Sequence, residues 1–362
     1  MAGSAAVSAL GDAFAPWQQR VYEQAVAAFE AGRLGHGLLL SGPAYLGKRQ
    51  VAERLAQRVL CRSPVGSAAC GRCRDCTLFL SRAQADPVEV RPDGALAHPW
   101  GHAGHPDVSF IGYAFNEKTK KPRSEIVIEQ IRALSERLAL TPQAGGAQVA
   151  IIDPADAINH AAANALLKTL EEPVPGRYLW LVAAHPQRLP ATIRSRCQRI
   201  EFRLPPRGEA LAWLQARGHA AKVAQEALDA ARGHPGLADA WLRDGGMALR
   251  REVADELAGL ARGELAPIAL AQRWTGDEQA GLRLEFAADL ALQDAARLTG
   301  ACLTEPQRTR RLAAWFDAAN RTRALLRTTV RPDLAVAELL LAWRTDAGAQ
   351  AGQGRGTNEV RR

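Results

Sequence analysis

A phosphate-binding loop and a tight cysteine cluster thirteen residues beyond its lysine constrain this chain more than any other feature. Residues 42–49 read GPAYLGKR, which fits the template G-x4-G-K-[ST] at every position except the last. An apolar run at 36–42 precedes the loop and a helical pattern at 47–60 follows it. That strand, loop and helix order lets backbone N–H groups cradle a phosphate, with Gly42, Gly47 and Lys48 as the candidate contacts. Cys61, Cys70, Cys73 and Cys76 then follow with the spacing C-x8-C-x2-C-x2-C.

Four thiolates at that spacing can complete the tetrahedral sulfur shell of a structural zinc site, leaving no open position for water. The competing reading is a chance cluster of buried or disulfide-paired cysteines. It is the weaker one, because no secretory segment precedes the cluster. The interval holds Arg62, Arg72, Arg74 and Asp75 and has little apolar surface with which to fold unaided. Zinc binding would supply that stability, on the order of 10 kcal/mol. Cys197 and Cys302 stand apart and read as small buried hydrophobes.

At 362 residues the chain suggests two or three domains, and 47% apolar residues make it globular. It has no run of eighteen apolar residues and no signal-like start, so it is expected to be cytoplasmic with no membrane partner. A formal charge of +8 favours an acidic partner such as nucleic acid. Of the 46 basic residues only six are lysine and 40 are arginine, so a GC-rich genome accounts for the excess equally well.

Helical periodicity at 17–30 opens the chain, and buried strands are expected at 36–42, 107–113, 149–153 and 178–184. Between the cysteines and the second strand, residues 86–106 are rich in proline and glycine and read as a surface excursion. His98, His102 and His105 lie in it, either as a flexible histidine-rich loop or as metal ligands. A basic turn, KTKKPR, occupies 118–123, and a helix is expected at 126–138. Strands alternating with helices predict an α/β parallel sheet covered on both faces. From 205 onward only helical patterns appear, at 209–217, 222–232, 237–243, 249–261, 282–300, 304–327 and 334–343. Residues 346–362 are expected to be disordered.

Two gaps mark the phosphate site. Arg49 stands where a hydroxyl should coordinate magnesium, and Pro154 stands where a glutamate should activate water. Asp153, just before it, is either the remaining acidic ligand or a strand-end turn residue. Both gaps argue against autonomous triphosphate hydrolysis and leave ATP binding by this chain doubtful.

Together, GPAYLGKR, the four cysteines, HPDV at 105–108, NALLKTLEEP at 164–173 and SRC at 195–197 resemble the delta-prime family of the bacterial DNA polymerase III clamp loader, AAA+ proteins. The resemblance runs from about residue 17 to about 205. It implies a RecA-like AAA+ domain with a zinc module at 1–204, a helical lid at 205–246, an all-α collar at 247–345, and a tail. It also implies assembly with delta and gamma/tau subunits, acting on the sliding clamp and primed DNA. Arg196 of the SRC motif would be presented to ATP held by a neighbour. A guanidinium forks onto phosphate oxygens, so one lent across a boundary stabilises charge on the transferred phosphoryl group. Without the motif, Arg194, Arg196 and Arg199 would read as a solvated basic stretch. Relatives that hydrolyse ATP carry a polar sensor and a lid arginine. This chain offers Ala183 and Ala184 for the first and Gly236 for the second.

Two other functions stay open on the residues alone. An active gamma-type ATPase would tolerate Arg49, and a zinc-dependent DNA-binding protein would bind DNA tightly and salt-sensitively by itself. Lys168 reads as a surface lysine, with DNA phosphate or a neighbouring subunit as the other option.

Overall fold

A computed structural model describes residues 10–11, 13–92, 94–116, 118–172, 174–301, 306–326, 328 and 330–353. Pro173, expected to stop the NALLKTLEEP helix, and Cys302 lie outside them. The chain divides into two compact units, Met1–Asp239 and Ala240–Arg362.

The first unit begins with α1 (Pro16–Glu30), β1 (Gly37–Ser41), α2 (Lys48–Leu60) and α3 (Arg74–Leu80). The two-residue strand β2 (Arg82–Ala83) precedes the 86–106 stretch and pairs with β3 (His102–Ala103) near its end. Then come β4 (Val108–Ile111), the hairpin β5 (Phe115–Asn116) and β6 (Lys121–Pro122), and α4 (Ile128–Ala139). After these come β7 (Gln148–Ile152), α5 (His160–Glu171), β8 (Arg177–Ala183), α6 (Ala191–Arg194) and β9 (Gln198–Glu201). Helices α7 (Arg207–Ala216), α8 (Ala221–Ala230) and α9 (Pro235–Arg243) complete the unit, the last crossing its boundary.

Five strands form one wholly parallel sheet in the order β4-β7-β8-β1-β9. Parallel strands are covered on both faces, so they read as continuous apolar runs, and all five residues of β1 and of β7 are buried. The period of two divides their side chains between two cores. Leu38 and Leu40 join Val149, Ile151, Trp180 and Val182 against Trp17, Val26 and Leu55 of α1 and α2. Leu39 joins Ala150, Ile152, Leu179 and Leu181 against Leu134, Leu138, Leu166 and Leu170 of α4 and α5. The expected α/β class and its four strands are borne out. The fifth, β9, is an addition: its QRIE sequence is mostly exposed, so it carries none of the apolar signal of a central strand.

The 86–106 stretch has little regular structure, as expected, but it is packed rather than loose. Ala97, His98 and His105 are buried in it.

In the second unit the fold is helical: α10 (Gly246–Ala261), α11 (Pro267–Trp274), α12 (Ala280–Ala301), α13 (Pro306–Leu325) and α14 (Pro332–Gln353). Helix α11, about two turns long, is too short to show a clear period. Its anchor is the fully buried Trp274, whose Nε1 donates to Glu256 Oε2 at 2.6 Å. Helix α14 runs through Gln353, past residue 346 where a disordered tail is expected, and Ala347, Ala349 and Ala351 are strong helix formers. The rest of that tail lies outside the described residues. Among the described residues, no helix is long and apolar enough to cross a membrane.

Candidate functional site

Where β1 ends, the chain turns into the phosphate loop through two glycines that nothing else could replace. Gly42 has φ 138°, and a Cβ there would lie 2.2 Å from the Phe202 carbonyl oxygen. Gly47 has φ 77°, and a Cβ there would overlap Gln18 Nε2 at 1.5 Å. Gln18 in turn donates to the Leu46 carbonyl at 3.2 Å, so α1 backs the loop. Lys48 is buried, and its Nζ donates to the carbonyls of Gly42 at 2.7 Å and Pro43 at 2.6 Å. Burial brings the Lys48 pKa down to about 8, against the pull of Asp153 and Asp156.

Arg49 does more than leave out a hydroxyl. Its buried guanidinium pairs with Glu53 one turn along α2, lies 3.4 Å from Asp153 Oδ2, and stacks 4.7 Å from the Phe110 ring centre. Burial works against its charge, but Glu53 and Asp153 outweigh that and leave its pKa raised. Arg91 reaches the same Asp153 oxygen at 3.4 Å. Asp153, the ligand that would remain for magnesium, is therefore taken up by two guanidinium groups. This pairing of Asp153 with two buried or half-buried cations was not read from sequence. The spacing of Arg49 and Glu53, one helical turn, was the available signal.

Asp156 accepts from the backbone N–H of Ala184 at 3.4 Å and of His185 at 3.1 Å, so an acid that follows β7 holds the chain just past the end of β8, beside Ala183 and Ala184. Gly236 opens α9 directly on the loop, where a Cβ would come within 1.9 Å of the Tyr45 carbonyl oxygen. No side chain fits at that position.

Of the three histidines, only His98 and His102 converge, and Glu89 is their third member, with ligand atoms all within 4.8 Å. Glu89 Oε2 lies 3.2 Å from His98 Nε2 and 2.9 Å from His102 Nε2. Arg49 meets His98 Nδ1 at 3.1 Å and can only donate, so the ring hydrogen sits on Nε2. A metal on Nε2 needs the opposite tautomer, with N–H facing N–H. The cluster is a hydrogen-bonded chain from Arg49 through His98 to Glu89, and it joins the 86–106 stretch to the phosphate-loop helix. His105 lies elsewhere: its Nδ1 accepts from the Asp107 N–H at 3.1 Å and its Nε2 faces Asp75 Oδ1 at 3.6 Å.

Cys61, Cys70, Cys73 and Cys76 come together with their sulfurs within 4.8 Å of one another, an arrangement that can hold a metal ion. Cys70 and Cys76 Sγ are 3.9 Å apart, close to the roughly 3.8 Å edge of a tetrahedron built on zinc–sulfur bonds of about 2.3 Å. Backbone N–H groups of Cys70 and Cys73 donate to the sulfurs of Cys61 and Cys70 at 3.2 and 3.3 Å. The N–H of Arg72 contributes most to holding the Cys70 thiol down, at about 6, while burial pushes Cys76 up. Asp75 beside the cluster takes Arg62 at 2.5 Å. Cys197 is a partly buried thiol pushed up to about 11 by burial, in keeping with a packing role.

Arg196 lies at the other end of the sheet. Its carbonyl oxygen is 3.4 Å from where a Cβ of Gly37 would stand, at the first residue of β1, and β9 starts two residues after it, parallel to β1. The phosphate loop follows the last residue of β1, so roughly 15 Å of strand separates the two, more than an arginine side chain spans. Arg196 is 37% exposed, pairs with Glu171 of α5 at 2.7 Å, and donates to the Thr192 carbonyl at 2.9 Å. The NALLKTLEEP and SRC motifs thus meet in one surface pair. Of the neighbouring arginines, Arg199 is in β9.

The family model described as DNA polymerase III, delta subunit, matches residues 17–206. The protein named DNA polymerase III subunit delta' in Pseudomonas aeruginosa is 33% identical over 264 residues, 72% of this chain and 70% of that protein. Its namesake in Escherichia coli is 30% identical over 291 residues, 79% of this chain and 77% of that one. The Escherichia coli protein named DNA polymerase III subunit tau matches at 29% over 187 residues, 52% of this chain and 24% of its own. The first two likenesses run well past the sheet and into the helical second unit's share of the length, and with the family model over half the chain they leave one assignment: this chain belongs to the delta-prime family of DNA polymerase III subunits.

Proposed function

We propose that the chain is a clamp-loader subunit that does not hydrolyse ATP. It assembles with delta and gamma/tau subunits, which load the sliding clamp on primed DNA, and it lends Arg196 to ATP held by a neighbour. The observation that carries this reading is the position of Arg196, a full strand length from the chain's own phosphate loop and half-exposed beside Glu171. A guanidinium in that position can serve only a phosphate that another molecule brings. Its salt bridge is exposed and weak, so it yields to a phosphate without large cost.

The loop itself supports the same reading. Lys48 is satisfied by loop carbonyls, and Arg49 and Arg91 neutralise the acid that a magnesium ion would use. An active gamma-type ATPase is less favoured for that reason, and magnesium-dependent turnover by the isolated chain would revive it. The finer architecture belongs to this proposal as well: a RecA-like AAA+ domain at 1–204, a lid at 205–246 and a collar at 247–345 through which subunits assemble. Residues Gly42, Gly47, Lys48 and Asp153 form a degenerate nucleotide site.

Replacing Arg196 with Ala in the reconstituted complex tests the central claim. Hydrolysis at the adjoining site should fall on the order of 10³-fold or more. Unchanged turnover would remove the assignment. Cys61, Cys70, Cys73 and Cys76 would hold a structural zinc, whose binding would brace a segment with little apolar surface. Metal analysis should find one zinc per chain, lost in Cys73→Ser.

A further inference from the structure

We propose that a cavity in the second unit is a docking site for a short acidic peptide, which sets an apolar side chain inside and its carboxylates on an arginine rim. Three helices each turn one face toward it, with lining residues three, four or seven positions apart. Helix α10 gives Ala254, Ala258 and Ala261 beside Leu257, α12 gives Leu290, and α13 gives Leu312 and Trp315. The alanines of α10 are too small to fill the space between the helices, which leaves a cavity of about 390 Å³. That lies within the roughly 300–1,000 Å³ of ordinary ligand pockets. Trp343 of α14 completes the floor, its ring centre 4.7 Å from that of Trp315. Both indole N–H groups are already used: Trp315 donates to the Leu339 carbonyl and Trp343 to the Leu257 carbonyl, each at 3.0 Å. The floor therefore offers an incoming group only apolar surface.

The charged groups of the lining are Arg297, Arg308, Arg311 and Asp294, three positive against one negative. Asp294 lies 3.5 Å from Arg297, and among the described residues Arg311 has no carboxylate within 4 Å. An apolar floor under a cationic rim calls for an apolar group flanked by anions, and carboxylates match the guanidinium fork. Arg308 and Arg311 stand about one turn apart on α13 and Arg297 is on α12, so the charge is spread over two helices. A small organic acid brings one carboxylate to that rim, whereas acidic residues on both sides of a leucine or phenylalanine bring several. The chain's own ends do not fit: residues 354–362, GRGTNEVRR, carry three arginines against one glutamate, and residues 1–9, MAGSAAVSA, contain no acid. The occupant is therefore a segment of another protein. This site goes beyond the proposed function, since neither Arg196 nor ATP takes part in it.

Fluorescence anisotropy of the labelled peptide Asp-Asp-Leu-Phe-Asp-Asp, titrated with the full chain at about 0.15 M salt, tests it. Wild type should bind with Kd below about 1 mM. Arg311→Gln should weaken binding about tenfold, through the loss of one charge-assisted contact. A peptide with alanine in place of its leucine and phenylalanine should bind at least about tenfold more weakly to wild type. Ala258→Trp fills the cavity from an exposed position and should also cost at least about tenfold, with thermal unfolding showing that the variant stays folded. Arg251→Gln, which removes an exposed charge of α10 outside the cavity, should change nothing. The proposal is overturned by no wild-type binding at about 1 mM, by equal losses for Arg311→Gln and Arg251→Gln, or by undiminished binding of the alanine peptide. Octanoate that displaces the peptide and binds as tightly would assign the cavity to a small organic acid instead. A wild-type dimer that Ala258→Trp dissociates would assign it to a second copy of the chain, and either result also overturns the proposal.

Discussion

At the sheet edge where β1 and β7 end, Lys48, Arg49 and Arg91 converge on loop carbonyls, Glu53 and Asp153, with Lys48 and Arg49 buried. At the edge where β1 and β9 begin, Arg196 stands 37% exposed with one exposed partner, Glu171. Both edges carry positive charge, but the first spends it internally and the second leaves it free for exchange. A buried guanidinium is costly to desolvate, so it persists only with its counter-charges in place, and once they are in place it has nothing left to offer a ligand. An exposed one is cheap to hold and cheap to redirect. The contrast separates charge that holds the fold together from charge that a partner could take up.

The strongest way to break the comparison is at Arg49. Arg49→Ala would leave Glu53 and Asp153 short of a counter-charge in a buried setting. Unfolding by denaturant should show a loss of about 3 kcal/mol or more, the low end for a broken buried pair because Arg82 and Arg91 remain. Adding Asp153→Asn should recover part of it, since the two sites are coupled. A loss within about 0.5 kcal/mol would mean that the inner charges are not held by one another.

Lys48 sharpens the contrast through pH. Its pKa falls from 10.5 to about 8 on folding, so between those values the unfolded chain keeps a proton that the folded chain has shed. Protonation there favours unfolding. The penalty is fully present below about pH 8, and stability rises from about pH 8 to about pH 10.5 as it is relieved, by about 3 kcal/mol in all. Lys48→Met removes this gain while orphaning the Gly42 and Pro43 carbonyls, so the informative quantity is the difference between the two stability curves. A flat difference across that range would show that Lys48 is not desolvated in the fold.

What could be read from the sequence follows from locality. Strands β1, β7 and β8 announce themselves because both faces of each are buried, which forces apolar runs such as GLLLS and QVAII. Edge strand β9 carries no such demand, and its QRIE passes for coil. The cysteine cluster is equally legible, since its four ligands sit within one short segment. Arg49 is the opposite case. Its missing hydroxyl is visible in the loop, but what it gains lies at His98 and Asp153, 49 and 104 residues away. Packing of the 86–106 stretch was hidden for the same reason, because polar anchors such as His98 do not show themselves by hydropathy.

The smallest expected effect is also the most discriminating. Arg196→Ala removes one exposed ion pair and one hydrogen bond to the Thr192 carbonyl, and it should change unfolding stability by no more than about 0.5 kcal/mol. Thermal or denaturant unfolding of the isolated chain measures it. A loss of several kcal/mol would make Arg196 a structural residue like Arg49, and any fall in the activity of a complex would then report a damaged subunit instead of a missing charge. A near-zero change, set beside the large cost at Arg49, would mean that the two arginines differ in what their charge is held for: one is committed to Glu53 and Asp153, and the other can leave Glu171 when a phosphate arrives.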